Sequence, residues 1–284
     1  MSEDTPDDKV HTLLSEAIFA GHPLGREVLG SEESVEAMTR DDVLGFFAER
    51  YRPANVIVTA AGRLDHADVV AGVEAFMADA DAGEAPARTA PPADMVPLSV
   101  ARRDTEQAHV ALGWRAFAAD DPDRYALAIA NQVLGGGMAS RLFQEIREER
   151  GMAYSVWSSS SLYSDAGCVY AYAGTSPNKV SDVLKVMDDV IAGIVAEGIT
   201  DHELAVAAGY LEGSLQLALE DSGSRMSRLG RGELGTTDLV TVDEQVARIR
   251  GVTLDDVSRV LHRVFDGERT LAAVGPFDSA AFEA

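Results

Sequence analysis

The chain has 284 residues, 46% of them hydrophobic and 25% charged, which is enough for two domains with their own cores. Its formal net charge of −23 argues against nucleic acid or an anionic membrane as a partner, because both require a basic surface. No apolar run is long enough to span a membrane. An acidic surface of this kind either steers basic peptides toward the protein or simply keeps it soluble.

Cysteine usage gives a weak indication of the compartment. Cys168 is the single cysteine, so an intramolecular disulfide is excluded. A reducing compartment fits this composition, and we expect a cytoplasmic location.

The first third of the chain predicts helices and one strand. The predicted elements are a helix over 7–20, a helix capped by Thr39 that runs to Tyr51, a buried strand over 56–60 and a helix that begins at Asp65. The apolar face of the first helix consists of Val10, Leu13, Leu14, Ala17 and Ile18. Residues 79–97 contain four prolines and read as a linker.

The remainder predicts a complete domain. Its predicted elements are a strand over 109–114, a helix over 121–134, a helix capped by Ser140, a hairpin of strands 154–160 and 168–174, a helix over 179–197 and a helix capped by Thr200. Helices grouped against short, hairpin-linked strands favour an α+β fold, a two-layer sandwich.

An internal repeat connects the two parts. Residues 39–43, Thr-Arg-Asp-Asp-Val, return at 253–257 as Thr-Leu-Asp-Asp-Val, and a glycine-ended apolar run follows in both places. Only 38 residues precede Thr39, whereas 252 precede Thr253. We therefore expect two copies of one domain, the first of them incomplete.

One segment makes the family recognisable. Residues 135–156, Gly-Gly-Gly-Met-Ala-Ser-Arg-Leu-Phe-Gln-Glu-Ile-Arg-Glu-Glu-Arg-Gly-Met-Ala-Tyr-Ser-Val, closely resemble the C-terminal domain of pitrilysin-like zinc metallopeptidases. Residues 22–30, 51–55 and 163–167 fit the same family, so the resemblance covers nearly the whole chain. It implies duplicated α+β domains: residues 1–78 as the rear half of the first, 79–97 as the linker and 98–284 as the complete second.

The resemblance also implies site residues. In this family the first domain holds zinc through a His-x-x-Glu-His motif and a later glutamate, and the second contributes an arginine and a tyrosine seven residues apart. Arg147 and Tyr154 match that pair. Without the surrounding motif, such an arginine is often solvated and such a tyrosine often packs in a core; Arg141 and Arg150 are nearby competitors.

The zinc motif is absent from this sequence. Its six histidines, His11, His22, His66, His109, His202 and His262, contain no pair four residues apart. We expect His11 and His202 to be solvated on helices. No metal site or cofactor is expected in this chain, and zinc would belong to a longer parent protein or to a partner.

Three interpretations remain open. The chain is part of a zinc metalloendopeptidase and inactive alone, or a natural non-catalytic subunit that completes the site of a zinc-bearing partner, or a scaffolding relative. Retention of the arginine and tyrosine argues against the third. The expected partners are a peptide substrate and either a zinc-bearing subunit or a second copy of the chain.

Overall fold

A computed structural model describes residues 5–235 and 239–282, which divide into two compact units. Unit 1 comprises the described residues of Met1–Glu27, Pro91–Glu212 and Thr241–Ala284, and unit 2 those of Val28–Ala90 and Gly213–Val240. The described α-helices are α1 Pro6–Ile18, α2 Glu32–Ala37, α3 Arg40–Arg50, α4 His66–Met77, α5 Arg124–Gly135, α6 Val180–Glu197, α7 Asp201–Ala218, α8 Ser222–Gly235, α9 Val242–Arg250 and α10 Leu254–Phe265. The described strands are β1 Leu98–Arg102, β2 Ala108–Ala116, β3 Ala153–Leu162, β4 Gly167–Thr175 and β5 Arg269–Gly275. None of the described helices is long and apolar enough to cross a membrane.

The sheet of unit 1 has the strand order β1-β5-β2-β4-β3. β1 and β5 run parallel, and all other neighbours run antiparallel. Alternate residues face opposite sides, so along β2 the side chains of Val110 and Leu112 enter one core and Ala111 enters the other. The predicted hairpin is present as β3 and β4.

Helices α5, α6 and α10 cover one face of this sheet. α10 shows why: Val257, Val260, Leu261 and Val264 recur at helical spacing and are all buried. The α+β prediction is confirmed. Ser140 directly precedes the helical segment that begins at Arg141, as predicted; its carbonyl accepts from the Gln144 amide at 3.0 Å, and its hydroxyl donates to the Gly137 carbonyl.

Helix α1 covers the opposite face. Val10, Leu14 and Ile18, spaced four residues apart, are buried against β2, β4 and β5. Gly113 of β2 permits this close approach, since a Cβ atom there would lie 2.6 Å from Ile18 Cδ1. The predicted two-layer sandwich therefore carries a further helix on its second face.

The boundaries of the compact units differ from those of the predicted sequence domains 1–78 and 98–284. α1 groups with unit 1 because its apolar face is buried on that sheet. The end of the predicted linker is also held there: the Val96 amide donates to the Ala17 carbonyl at 2.9 Å, and the Thr270 hydroxyl donates to the Val96 carbonyl at 2.5 Å. The predicted duplication is a statement about the evolutionary origin of the two domains. The packing of the units does not test it, and it stays a prediction.

The two copies of the repeat have the same helix cap. The Thr39 hydroxyl donates to Asp42 at 2.6 Å and accepts from the Asp42 amide at 3.2 Å, and Thr253 and Asp256 repeat both distances. Each threonine closes a capping box that satisfies free amides of the first turn. The local sequence alone determines this feature.

The burial of the two copies differs. Val43, Leu44, Phe46 and Phe47 of α3 are all exposed in unit 2, whereas α10 buries Val257, Val260, Leu261 and Val264. The predicted buried strand over 56–60 is wrong: the segment is not a strand, and Val58 is 53% exposed. A strand needs a neighbour to pair with, and the described residues of unit 2 supply none.

One ion pair in unit 1 yields a pH prediction. Arg141 donates to both carboxylate oxygens of Glu203, at 2.8 and 2.9 Å, and lowers the pKa of Glu203 from 4.5 to about 2. Because the folded-state pKa is depressed, the stabilisation is present above pH 4.5 and is lost as the pH falls toward about 2. We expect Glu203→Gln to lower the free energy of unfolding by about 1–2 kcal/mol at pH 7, a value reduced for partial exposure.

Urea unfolding at a series of pH values measures this loss. The gap between wild type and Glu203→Gln should narrow through the same acid range, and Glu106→Gln, at an exposed position, is the control. A gap that stays constant from neutral pH to pH 2 would show that the ionised Glu203 carboxylate does not cause the difference in stability.

Candidate functional site

The predicted arginine lies in a π-helical segment, Phe143–Glu149, that follows the glycine-rich loop. Ile146 is fully buried in the main core and anchors the segment, and Arg147 follows it. The chain then turns at Gly151, whose φ of +56° is readily adopted by glycine. The Gly151 amide donates to the Arg147 carbonyl at 3.2 Å, and the Met152 amide donates to the Ile146 carbonyl at 2.8 Å. Isolated π-helical turns are frequent at functional sites.

The predicted tyrosine lies in a β-bulge. Ala153 pairs with Thr175 and Ser155 pairs with Gly174, so Tyr154 is the extra residue in β3 and has no partner in β4. The Thr175 hydroxyl donates to the Met152 carbonyl at 2.6 Å and fixes the entry to the strand. Tyr154 is consequently 77% exposed at the edge of the sheet.

The structure brings the two predicted residues into contact. The guanidinium carbon of Arg147 lies 4.8 Å from the ring centroid of Tyr154 and 4.8 Å from that of Phe143. These are cation–π distances, and they orient the guanidinium without neutralising its charge. Glu148 is at the limit of an ion pair, with its Oε1 atom 3.9 Å from Arg147 Nε. The two competing arginines are held elsewhere, Arg141 by Glu203 and Arg150 by Glu145.

A concavity of about 380 Å³ lies beside this pair. Its lining residues are Gln107, Arg147, Gly151, Met152, Ala153, Tyr154, Gly174, Thr175, Ser176 and Lys179. The Lys179 ammonium donates to the Gly151 carbonyl at 3.1 Å, which connects the residue before α6 to the turn between Arg147 and Tyr154. The sequence motifs do not identify Lys179 as a site residue. The feature that distinguishes it in the sequence is that the chain has only three lysines.

The histidines do not form a metal site. Within 5–235 and 239–282 there is no group of three or more His, Cys, Asp or Glu residues that could hold a metal ion. His11 and His109 both lie beside Tyr172, but the Nδ1 atom of His109 is hydrogen-bonded to the Tyr172 hydroxyl at 2.8 Å. The described residues therefore do not fit zinc.

His11 corrects a prediction. Rather than being solvated, it packs against Trp157, Tyr170 and Tyr172, with ring centroids 5.1–5.5 Å away. Burial lowers the pKa of His11 and favours the neutral imidazole. The residue serves the packing of α1 on the sheet.

Comparison with known proteins decides the family. The profile described as "Peptidase M16 inactive domain" matches residues 37–209, more than half of the chain. The chain belongs to the peptidase M16 family. The resemblance to pitrilysin-like metallopeptidases, predicted from residues 135–156, is thereby confirmed.

Several curated relatives of the chain are described as an "uncharacterized zinc protease". The chain is 42% identical to that of Streptomyces coelicolor, over 97% of this chain and 62% of the relative. It is 39% identical to that of Mycobacterium tuberculosis strain H37Rv, over 98% of this chain and 65% of the relative. It therefore spans less than two thirds of the length of these curated relatives.

Solved structures support the M16 fold. The peptidase M16 inactive domain from Pseudomonas fluorescens has a TM-score of 0.90 at 24% identity, covering 98% of this chain and 67% of that chain. A chain of Complex III2 from Candida albicans has a TM-score of 0.84 at 21% identity, covering 98% and 69%. At these identities the likeness concerns the fold alone.

Proposed function

We propose that this chain is the peptide-binding part of a zinc metalloendopeptidase and that it is inactive alone. The contact between Arg147 and Tyr154 at an exposed bulge carries the proposal. It is supported by the match to an M16 inactive domain and by relatives that are named zinc proteases. Zinc, held by residues outside this sequence, would supply the activation of water.

The chemistry of the two side chains suits a peptide. The planar guanidinium of Arg147 can donate two parallel hydrogen bonds to a carbonyl or carboxylate. The hydroxyl of Tyr154 can donate to the oxygen that becomes negative when the scissile carbonyl is attacked. Both residues line the concavity, and their mutual contact keeps the two side chains close together.

The source of the zinc-bearing residues is the second part of the proposal. We place them in the portion of an M16 protease that this chain does not match, 38% of the length of the Streptomyces relative. The alternative is a separate zinc-bearing subunit. In either case the exposed apolar residues of α3 offer a surface for it, since the residues that match Val43, Phe46 and Phe47 are buried in α10: Val257, Val260 and Leu261. A second copy of the chain could cover the same surface.

The compartment also belongs to the proposal. A cytoplasmic location agrees with the single cysteine of the sequence, which is buried and free.

The zinc content of the isolated chain tests the metal part of the proposal. After dialysis we expect well below one zinc per chain by elemental analysis, because the described histidines and carboxylates do not converge. The paired variant His11→Gln and His109→Gln is the control for zinc bound at the one place where two histidines meet. If this variant retains one zinc per chain, the zinc ligands lie elsewhere in the chain, and the proposal is overturned.

A further inference from the structure

We propose that the concavity beside Arg147 and Tyr154 binds a carboxylate of the peptide substrate and that Lys179 determines this preference. The inference rests on the proposed function for the identity of the ligand as a peptide. It goes beyond the arginine–tyrosine pair by assigning a third residue and a chemical class.

The charge of the concavity is the reverse of that of the chain. The sequence has 47 acidic and 24 basic residues, of which only three are lysines. The concavity is lined by two cations, Arg147 and Lys179, and by no carboxylate among its described lining residues. Acids do adjoin the lining in sequence: Glu106 precedes Gln107, Glu148 lies beside Arg147, and Asp182 lies in the first turn of α6. A local basic site within an acidic protein indicates selection for an anion at short range.

The two cations are held from different elements. Arg147 is oriented by the rings of Phe143 and Tyr154. Lys179 is oriented by its bond to the Gly151 carbonyl, and an ammonium with one donor engaged retains two more. Both positive groups therefore line one concavity. Among the contacts of the residues that the structure describes, no carboxylate forms an ion pair with Lys179.

The remaining lining adds hydrogen-bonding capacity without charge. Gln107 and Ser176 are neutral and polar, and the hydroxyl of Thr175 is already engaged with Met152. A carboxylate accepts several hydrogen bonds from such groups and matches the fork of an arginine.

A peptide can supply the carboxylate in two ways: through its free C-terminus or through an Asp or Glu side chain. The shared chemistry is a single carboxylate, and the test separates the two sources. Long-range steering by the −23 chain would favour basic peptides, so a preference for an added carboxylate cannot come from the overall charge.

The experiment measures binding of three fluorescent peptides of one neutral sequence to the full chain at low salt. One peptide ends in a free carboxylate, the second is amidated and contains one glutamate, and the third is amidated without an acid. We expect at least one of the first two to bind about 10-fold more tightly than the third, as for one charge-assisted contact. The peptide that gains identifies the source of the carboxylate.

Variants of Lys179 decide whether this residue is responsible. Lys179→Gln removes the charge but keeps an amide donor for the Gly151 carbonyl, and it should abolish the preference. Lys179→Arg should retain it. Lys185→Met is the control, because Lys185 lies on α6 but lines a different groove. The circular dichroism spectrum of each variant checks its folding.

The outcomes separate this inference from the proposed function. Equal binding of all three peptides by the wild type would overturn the carboxylate site, and a preference that survives Lys179→Gln would overturn its assignment to Lys179. If the preference depends on Lys179 but the chain never supports peptide hydrolysis, the carboxylate site stands and the proposed peptidase function is rejected.

Discussion

Replacing Tyr154 by phenylalanine is expected to lower kcat about 10²–10³-fold, as for the loss of one oxyanion donor. The assay uses a reconstituted peptidase: this chain mixed with a separate chain that carries the unmatched part of the Streptomyces relative. The phenyl ring retains the contact with the Arg147 guanidinium, which lies 4.8 Å from the ring of Tyr154. The substitution therefore removes the hydroxyl alone, and KM should change little.

Tyr210→Phe is the matched control for this substitution. Tyr210 is also an exposed tyrosine of unit 1 but lies on α7, away from the concavity. Both variants should unfold at the same temperature as the wild type. If kcat of Tyr154→Phe equals that of the control, the hydroxyl has no part in the reaction, and Tyr154 serves only to orient Arg147.

Replacing Leu14 by alanine is expected to lower the free energy of unfolding by about 2–5 kcal/mol. Leu14 is 2% exposed and packs α1 on the sheet face opposite the main helical layer. Its removal leaves a cavity above Gly113, where a Cβ atom would lie 2.9 Å from Leu14 Cδ1. The rigid strand below cannot move to fill that space.

Tryptophan fluorescence during urea unfolding measures this effect in unit 1. Both tryptophans of the chain, Trp114 and Trp157, belong to that unit. Val206→Ala, at a position of α7 in unit 1 that is 49% exposed, is the control and should change stability by less than about 0.5 kcal/mol. A loss below that level in Leu14→Ala would mean that α1 does not pack on this sheet in solution.

Local sequence predicts the elements whose stabilising contacts are local. The capping boxes at Thr39 and Thr253 depend on residues three positions apart, and the structure contains both. The apolar stripe of α1 predicts the buried face of that helix, with Val10, Leu14 and Ile18 in the core. In each of these cases the determining residues lie within a few turns of one another.

Contacts between distant segments escape such reasoning. The apolar pattern over 56–60 indicates burial, yet a strand there depends on neighbours that the described residues of unit 2 do not provide. The same limitation applies to His11, because its aromatic contacts come from β3 and β4, which lie roughly 150 residues farther along the chain. Periodicity reveals which face of an element is apolar but not what covers it.

The candidate site shows the same division. The family resemblance identifies Arg147 and Tyr154 as a pair, and their contact is found in the structure. The bulge that exposes Tyr154 depends on the register between β3 and β4, and neither it nor the π-helical segment that carries Arg147 is apparent from the sequence. Lys179 enters the site because the start of α6 returns to the turn at Gly151, 28 residues earlier.

The rate of peptide hydrolysis upon mixing tests the central claim most directly. An internally quenched peptide is incubated with this chain and zinc, with the unmatched part of the Streptomyces relative and zinc, and with both chains together. We expect hydrolysis only in the mixture, and its loss when Arg147→Ala replaces the wild type. Hydrolysis by this chain alone, or by the other chain at the same rate with and without it, would contradict the account.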